Sequence, residues 1–184
     1  MEIKTIAVIG AGTAGRAIAH RALRAGYRTV LEDFSAGTLE QAVDSIRQTF
    51  DQLPGESPDR HTSSAGSPLA NLTTCTNVED AIRDADLIIE TAADEMETKL
   101  ELFTIFDKFA KPNAIFATTS RVHSIDEIAE ITSCPERCVS LRFDPPGAPT
   151  HLSVTAGKDT LMSTIDICVA VGERVIEFTG ETLP

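Results

Sequence analysis

The chain has 184 residues, 42% hydrophobic and 24% charged, which suits one globular domain able to bury a sizeable core. Its 28 acidic and 16 basic side chains give a formal net charge of −12, which argues against sequence-independent binding to nucleic acid or an anionic membrane. No apolar run approaches the ~18 residues of a membrane-spanning helix, and the N-terminus lacks the shape of a signal peptide, so a cytoplasmic location is expected.

Ile3 to Ile9 is a nearly continuous Ile/Val run, the pattern of a strand buried on both faces. It ends in Gly10-Ala11-Gly12-Thr13-Ala14-Gly15. The alanine-rich stretch from Arg16 to Ala25 reads as a helix closed by Gly26. Arg28 to Leu31 is a second strand running into Glu32-Asp33. Leu39, Val43, Ile46, Phe50 and Leu53 then recur at spacings of 4, 3, 4 and 3, one face of a helix, with Thr38 and Gln41 as its capping box. Pro54 to Asn71 is rich in Pro, Gly and Ser and reads as a long surface loop.

Asn77 caps a short helix through Ala85, and Leu87-Ile88-Ile89 is a buried strand leading to Glu90-Thr91. Met96, Leu100, Phe103 and Phe106 form a helix stripe, and Ala114 to Thr118 a strand. Ser124 and Glu127 suit a second capping box ahead of Ile125, Ile128 and Ile131. Val139 to Phe143 and Leu152 to Thr155 read as strands, Leu161 to Val171 as a helix, and Val175 to Phe178 as a last strand. The alternation predicts an α/β fold: a Rossmann-type, doubly wound, mostly parallel sheet with helices on both faces. Ligands of such sheets bind at the carboxyl ends of the strands, which directs attention to residues 10–15, 32–34, 90–99, 118–121 and 142–145. The cysteines (Cys75, Cys134, Cys138, Cys168) have neither zinc-site nor disulfide-framework spacing.

The glycine motif sits between a strand and a helix, and Asp33 follows 21 residues after Gly12 at the end of the next strand. Gly10 permits a tight turn, Gly12 lets backbone approach a pyrophosphate, and Gly15 allows close helix–strand packing. Unpaired N–H groups at Thr13 and Ala14 then face phosphates. Asp33 can accept from both ribose hydroxyls and repels a 2′-phosphate, so NAD(H) is expected over NADP. An alanine- and glycine-rich turn without a ligand is the alternative.

KTIAVIGAGTAGRAIAHRALRAGYRTVLEDFS, DADLIIETAADEMETKLELF, PNAIFATTS and PERCVSLRFDPP followed by GKDT resemble the L-3-hydroxyacyl-CoA dehydrogenase family nearly end to end. That family oxidises the 3-hydroxyl of acyl-CoA esters with NAD in fatty-acid metabolism. The resemblance implies a cofactor shell of Gly10, Gly12, Thr13, Ala14, Gly15, Asp33, Phe34, Thr91, Asp94, Lys99 and Thr119. Asp94 stands where Glu is usual and Thr119 where Asn is usual. Lys99 has a second reading as a solvated helix lysine.

The family's catalytic positions are changed. Its Gly-Leu-His-Phe-Phe-Asn-Pro motif corresponds to Ser140-Leu141-Arg142-Phe143-Asp144-Pro145-Pro146. The base position is therefore Arg142 and the Asn position Pro145. The Glu that orients the base falls on Val154, and the active-site Ser on Arg121. Arginine stays protonated and has no acceptor lone pair, so it cannot take the hydroxyl proton. His123, His151 and Asp144 are the nearest substitutes, and each also reads as an ordinary surface residue. His20 and His61 are not placed for catalysis.

The family continues into a helical domain beyond a Thr-Pro-Gly-Phe stretch, and residues 179–184 fall where that domain would begin, so its absence is expected. Three functions fit. One is an NAD(H)-binding relative with little or no 3-hydroxyacyl-CoA dehydrogenase activity. Another is an active oxidoreductase on a hydroxyacyl-CoA or small anionic substrate held by Arg121 and Arg142, although both arginines also read as partners of local acids such as Asp144 or Asp94. The last is a Rossmann subunit completed by a partner. Self-association into a homodimer would cover apolar surface left by a missing domain.

Overall fold

The computed structural model describes residues 1–52, 67–143 and 152–179. Seven strands form one sheet: β1 (Thr5–Ile9), β2 (Arg28–Glu32), β3 (Leu72–Cys75), β4 (Leu87–Glu90), β5 (Ile115–Thr118), β6 (Cys138–Phe143) and β7 (Leu152–Ala156). Their spatial order is β3-β2-β1-β4-β5-β6-β7. All neighbours are parallel except β6 and β7. The helices are α1 (Thr13–Arg24), α2 (Ala36–Asp51), α3 (Val78–Ile82), α4 (Met96–Phe109), α5 (Ile125–Ala129) and α6 (Met162–Thr179). The expected doubly wound sheet is therefore what the chain adopts.

Helices cover both faces because the central strands are apolar on both. On one face, Ile18 of α1, Ile46 and Phe50 of α2 and Val171 of α6 pack on Val8, Leu31, Ile89 and Leu141. On the other, Phe103 and Phe106 of α4 and Ile128 of α5 pack on Ile9, Ile88 and Phe116. The Phe103 and Phe106 rings meet the Phe116 ring edge-on, at centroid distances of 6.2 and 5.7 Å. Strand order reverses at β1 and β4, so a crevice opens beyond Ile9 and Glu90.

Four elements depart from the sequence expectation. Strand β3 is absent from the sequence expectation: Leu72-Thr73-Thr74-Cys75 puts one threonine on each face, so it has no apolar alternation, and only pairing with β2 reveals it as an edge strand. The expected loop 54–71 ends in a 3₁₀ turn at Pro68–Asn71, and residues 53–66 lie outside the described residues. Helix α2 starts earlier than Thr38, because the Ser35 side chain accepts from the Thr38 N–H and caps it there. The expected final strand at Val175 to Phe178 is instead the last part of α6. Its β-branched residues misled, and Gly172 did not break the helix. A Cβ on Gly172 would lie 2.3 Å from Leu152 Cδ2, so this glycine lets α6 sit close against β7.

Candidate functional site

The site begins with the turn from β1 into α1. Gly10 has φ +102°, a conformation that favours glycine. Its N–H donates to the Glu32 carbonyl, continuing the β1–β2 pairing. A Cβ on Gly15 would lie 1.8 Å from the Gly10 carbonyl oxygen, so helix and turn meet only because Gly15 has none. A Cβ on Gly12 would meet nothing within 4 Å. Gly12 therefore borders open space, not packed protein.

That space is built for an anion. Gly12, Thr13 and Ala14 are exposed, and Gly12 caps α1 with no side chain to satisfy the first N–H groups. The first turn carries no acidic residue, although the chain has 28. Unpaired N–H groups and the positive end of the helix dipole thus face outward together.

Asp33 stands next to the turn, at the end of β2. One carboxylate oxygen accepts from the Ala11 N–H at 3.0 Å and the other from the Ser35 N–H at 3.0 Å. Two backbone donors fix the carboxylate, and each oxygen keeps a lone pair for a further donor. Phe34, adjacent, is 91% exposed. An aromatic ring held out beside the crevice offers a face for a flat base.

Glu32, not singled out by the sequence reading, is 4% exposed beneath this carboxylate. Burial, with the Asp33 charge beside it, pushes its carboxyl up to about 7. The folded state therefore holds a proton that the unfolded chain releases near 4.5. The resulting stability is present at low pH and is lost as pH rises through 7. Glu32→Gln should stabilise the protein by about 2 kcal/mol more at pH 8 than at pH 5, read from melting curves. His20, pushed down to about 4 by burial and by Arg24 and Arg21, gives the opposite slope below pH 6.5. Variant and parent must therefore be compared at each pH. An equal shift at both pH values would refute a protonated Glu32.

At the end of β4, Glu90 is fully buried. Lys99 of α4 donates to its two oxygens at 3.0 and 3.1 Å, and Thr118 Oγ1 donates at 2.7 Å. Lys99 Nζ also reaches the Ala93 carbonyl at 3.3 Å and Asp94 Oδ1 at 3.4 Å. Lys99 is 1% exposed, so it is not a solvated helix lysine. It also takes the inward position that the helix stripe assigned to Leu100. Asp94, held by Lys99 and by the Ser120 hydroxyl at 2.6 Å, keeps its side chain 42% exposed. Ser120 and the Arg121 N–H, with Lys99, hold its carboxyl below the usual range against the opposing effect of burial.

Thr91 and Thr119 point into the protein. The Thr91 hydroxyl donates to the Ile9 and Gly10 carbonyls, pinning the glycine turn, and the Thr119 hydroxyl donates to the Glu90 carbonyl.

The far side of the crevice carries the changed positions. Arg142 is exposed near the end of β6 and Arg121 is exposed just beyond β5. Neither makes an ion pair among the described residues. Val154 lies opposite Leu141 and packs on the α1–α2–α6 cluster, whereas Arg142 lies opposite Ser153. The two side chains leave opposite faces of the β6–β7 ladder. His123 Nε2 bonds the Asp94 carbonyl at 3.1 Å. Asp144, Pro145, His151 and His61 lie outside the described residues.

The model for the NAD binding domain of 3-hydroxyacyl-CoA dehydrogenases matches residues 5–178. This chain belongs to the 3-hydroxyacyl-CoA dehydrogenase family. The 3-hydroxyadipyl-CoA dehydrogenase of Escherichia coli K12 is 32% identical over 173 residues, covering 90% of this chain and 35% of that protein. The mitochondrial hydroxyacyl-coenzyme A dehydrogenase of Rattus norvegicus is 27% identical over 183 residues, covering 95% and 58%. The solved 3-hydroxybutyryl-CoA dehydrogenase of Escherichia coli K12 superposes with a TM-score of 0.83 at 30% identity, over 95% of this chain and 37% of that one. The chain thus spans between about a third and three fifths of the length of these relatives.

NAD is the cofactor of this dehydrogenase domain, and the residues present fit it. The open space at Gly12 suits a pyrophosphate, and the fixed Asp33 carboxylate suits a ribose diol.

Proposed function

We propose that this member of the 3-hydroxyacyl-CoA dehydrogenase family binds NAD(H) and carries out little or no classical 3-hydroxyacyl-CoA dehydrogenation. In this reading the exposed amides of Gly12, Thr13 and Ala14 take the pyrophosphate, Asp33 the adenosine ribose, Phe34 the adenine face, and Asp94 the nicotinamide end. Gly10, Gly15, Thr91, Lys99 and Thr119 shape the cleft from behind: Gly15 by its close approach to Gly10, the others because their polar atoms are used inside the protein.

One observation carries the loss of chemistry: Arg142 holds the position of the base. Bound NAD supplies a hydride acceptor, but the substrate hydroxyl must also give up its proton. An imidazole with a pKa near 7 does this, and a guanidinium, with no acceptor lone pair, does not. Val154 adds no carboxylate to tune a base, and it lies on the other face of the ladder. His123 is not at the base position: it lies in the segment after β5, with its Nε2 bonded to the Asp94 carbonyl.

Loss of a positioned base costs roughly 10²–10⁴ in rate. NADH oxidation with acetoacetyl-CoA, measured at saturating NADH, should therefore run at least about a hundredfold below a family dehydrogenase that keeps the imidazole. Turnover at the ordinary rate of such an enzyme would contradict the proposal. A second reading, an oxidoreductase acting on a small anionic substrate, is favoured by the two arginines that lack ion pairs among the described residues.

A further inference from the structure

We propose that Arg121 and Arg142 form a carboxylate-binding subsite for a small keto or hydroxy acid. The subsite lies at the carboxyl ends of β5 and β6, past the nicotinamide end of the cleft. It rests on the reading of that cleft as a dinucleotide site.

Sheet register brings the two arginines together. Thr118 of β5 is the Cα partner of Ser140 of β6. Arg142 is two residues beyond Ser140 and Arg121 three beyond Thr118, so both emerge at the same end of neighbouring parallel strands. Both are exposed, and neither has an acidic partner among the described residues.

The described acids along this cleft, Glu90 and Asp94, are already engaged. Glu90 is neutralised by Lys99 and bonded by Thr118. Asp94 is taken by Lys99, by the Ser120 hydroxyl and by the Arg121 N–H at 3.5 Å, and not by the Arg121 guanidinium. Both arginines are thus exposed at the same end of neighbouring strands, in a chain with net charge −12. Unpaired cations at a cleft recruit an anion from solution.

A separate observation supports a ligand here. Ser140 is 4% exposed, and its hydroxyl has no hydrogen-bond partner among the described residues. Two residues from Arg142 on one strand, it shares that residue's face of the sheet. A buried hydroxyl without a partner costs about 1–3 kcal/mol, a cost that a ligand or a ligand-ordered water at this strand end relieves.

The ligand class follows from position. Phosphate recognition already has its own element in the glycine turn at the end of β1, two strands from β5 in the sheet. A small acid beside the nicotinamide would present a carboxylate to the guanidinium forks, which match it in a planar, bidentate way. In this role Arg142 anchors substrate.

The test uses the fluorescence of bound NADH, titrated with acetoacetate, with its neutral isostere acetoacetamide, and with inorganic phosphate. Acetoacetate should bind at least about tenfold tighter than the amide. Arg121→Gln and Arg142→Gln should each weaken acetoacetate by about tenfold while the NADH Kd stays within about twofold. Both residues are exposed, so the variants should fold, which circular dichroism checks. Equal binding of acid and amide, or indifference to both substitutions, would overturn the subsite. Displacement of acetoacetate by phosphate at equal concentration would overturn the carboxylate assignment. Failure of NADH itself to bind would defeat the dinucleotide reading instead, and calorimetry with acetoacetate on cofactor-free protein would then decide the subsite alone.

Discussion

Lys99→Met should destabilise the protein by about 3–5 kcal/mol, lowering Tm by roughly 6–20 °C. The reason is what it leaves behind. Glu90 is fully buried, and Lys99 supplies its only countercharge among the described residues. With the lysine gone, the Thr118 hydroxyl remains as a donor, and one neutral hydrogen bond does not offset a desolvated charge. The cost belongs to the orphaned carboxylate. Adding Glu90→Gln to Lys99→Met should therefore recover more than half of the loss, since an amide needs no countercharge. A single variant that loses less than about 1 kcal/mol would contradict the buried pair. So would a double variant no better than the single one.

The glycines should separate binding from folding. Gly12→Val places its Cβ where it meets no protein atom beyond its chain neighbours within 4 Å, so the fold should survive with Tm nearly unchanged. It also blocks the approach of a pyrophosphate, and NADH affinity should fall by about a hundredfold or more, equivalent to about 2.8 kcal/mol. Gly15→Ala should do the reverse. Its new Cβ would sit 1.8 Å from the Gly10 carbonyl oxygen, a backbone atom in a turn pinned by Thr91, so helix and strand must separate. Overpacking of this kind costs about 1–3 kcal/mol or more. Unchanged NADH binding in Gly12→Val, or unchanged stability in Gly15→Ala, would contradict these roles.

Much of this was legible in the chain itself. Apolar runs at Ile6 to Ile9 and Leu87 to Ile89 announced buried parallel strands, and the Gly10–Gly15 spacing with Asp33 located the nucleotide end. What escaped depends on contacts distant in sequence. Strand β3 has no apolar pattern of its own, because an edge strand buries little and is recognised by pairing with β2. Lys99 reads from sequence either as part of the cofactor shell or as a solvated helix lysine, because only the fold places Glu90 beneath it. Glu32 was hidden for the same reason. Arg142 was legible as a changed base position, while the opposite facing of Val154 required the β6–β7 register. The α6 boundary failed where β-branched residues outweighed helix continuity, a choice that packing against β7 decides.

The central claim is that a working dinucleotide cleft sits beside a missing proton acceptor. A crystal structure of this chain with saturating NAD tests it most directly. The account predicts pyrophosphate on the amides of Gly12, Thr13 and Ala14, ribose hydroxyls on Asp33, and, within hydrogen-bond reach of a hydroxyl poised at the nicotinamide, no imidazole and no carboxylate besides the Lys99-paired Asp94. An empty glycine turn, or a histidine or a further acid waiting at that point, would contradict it.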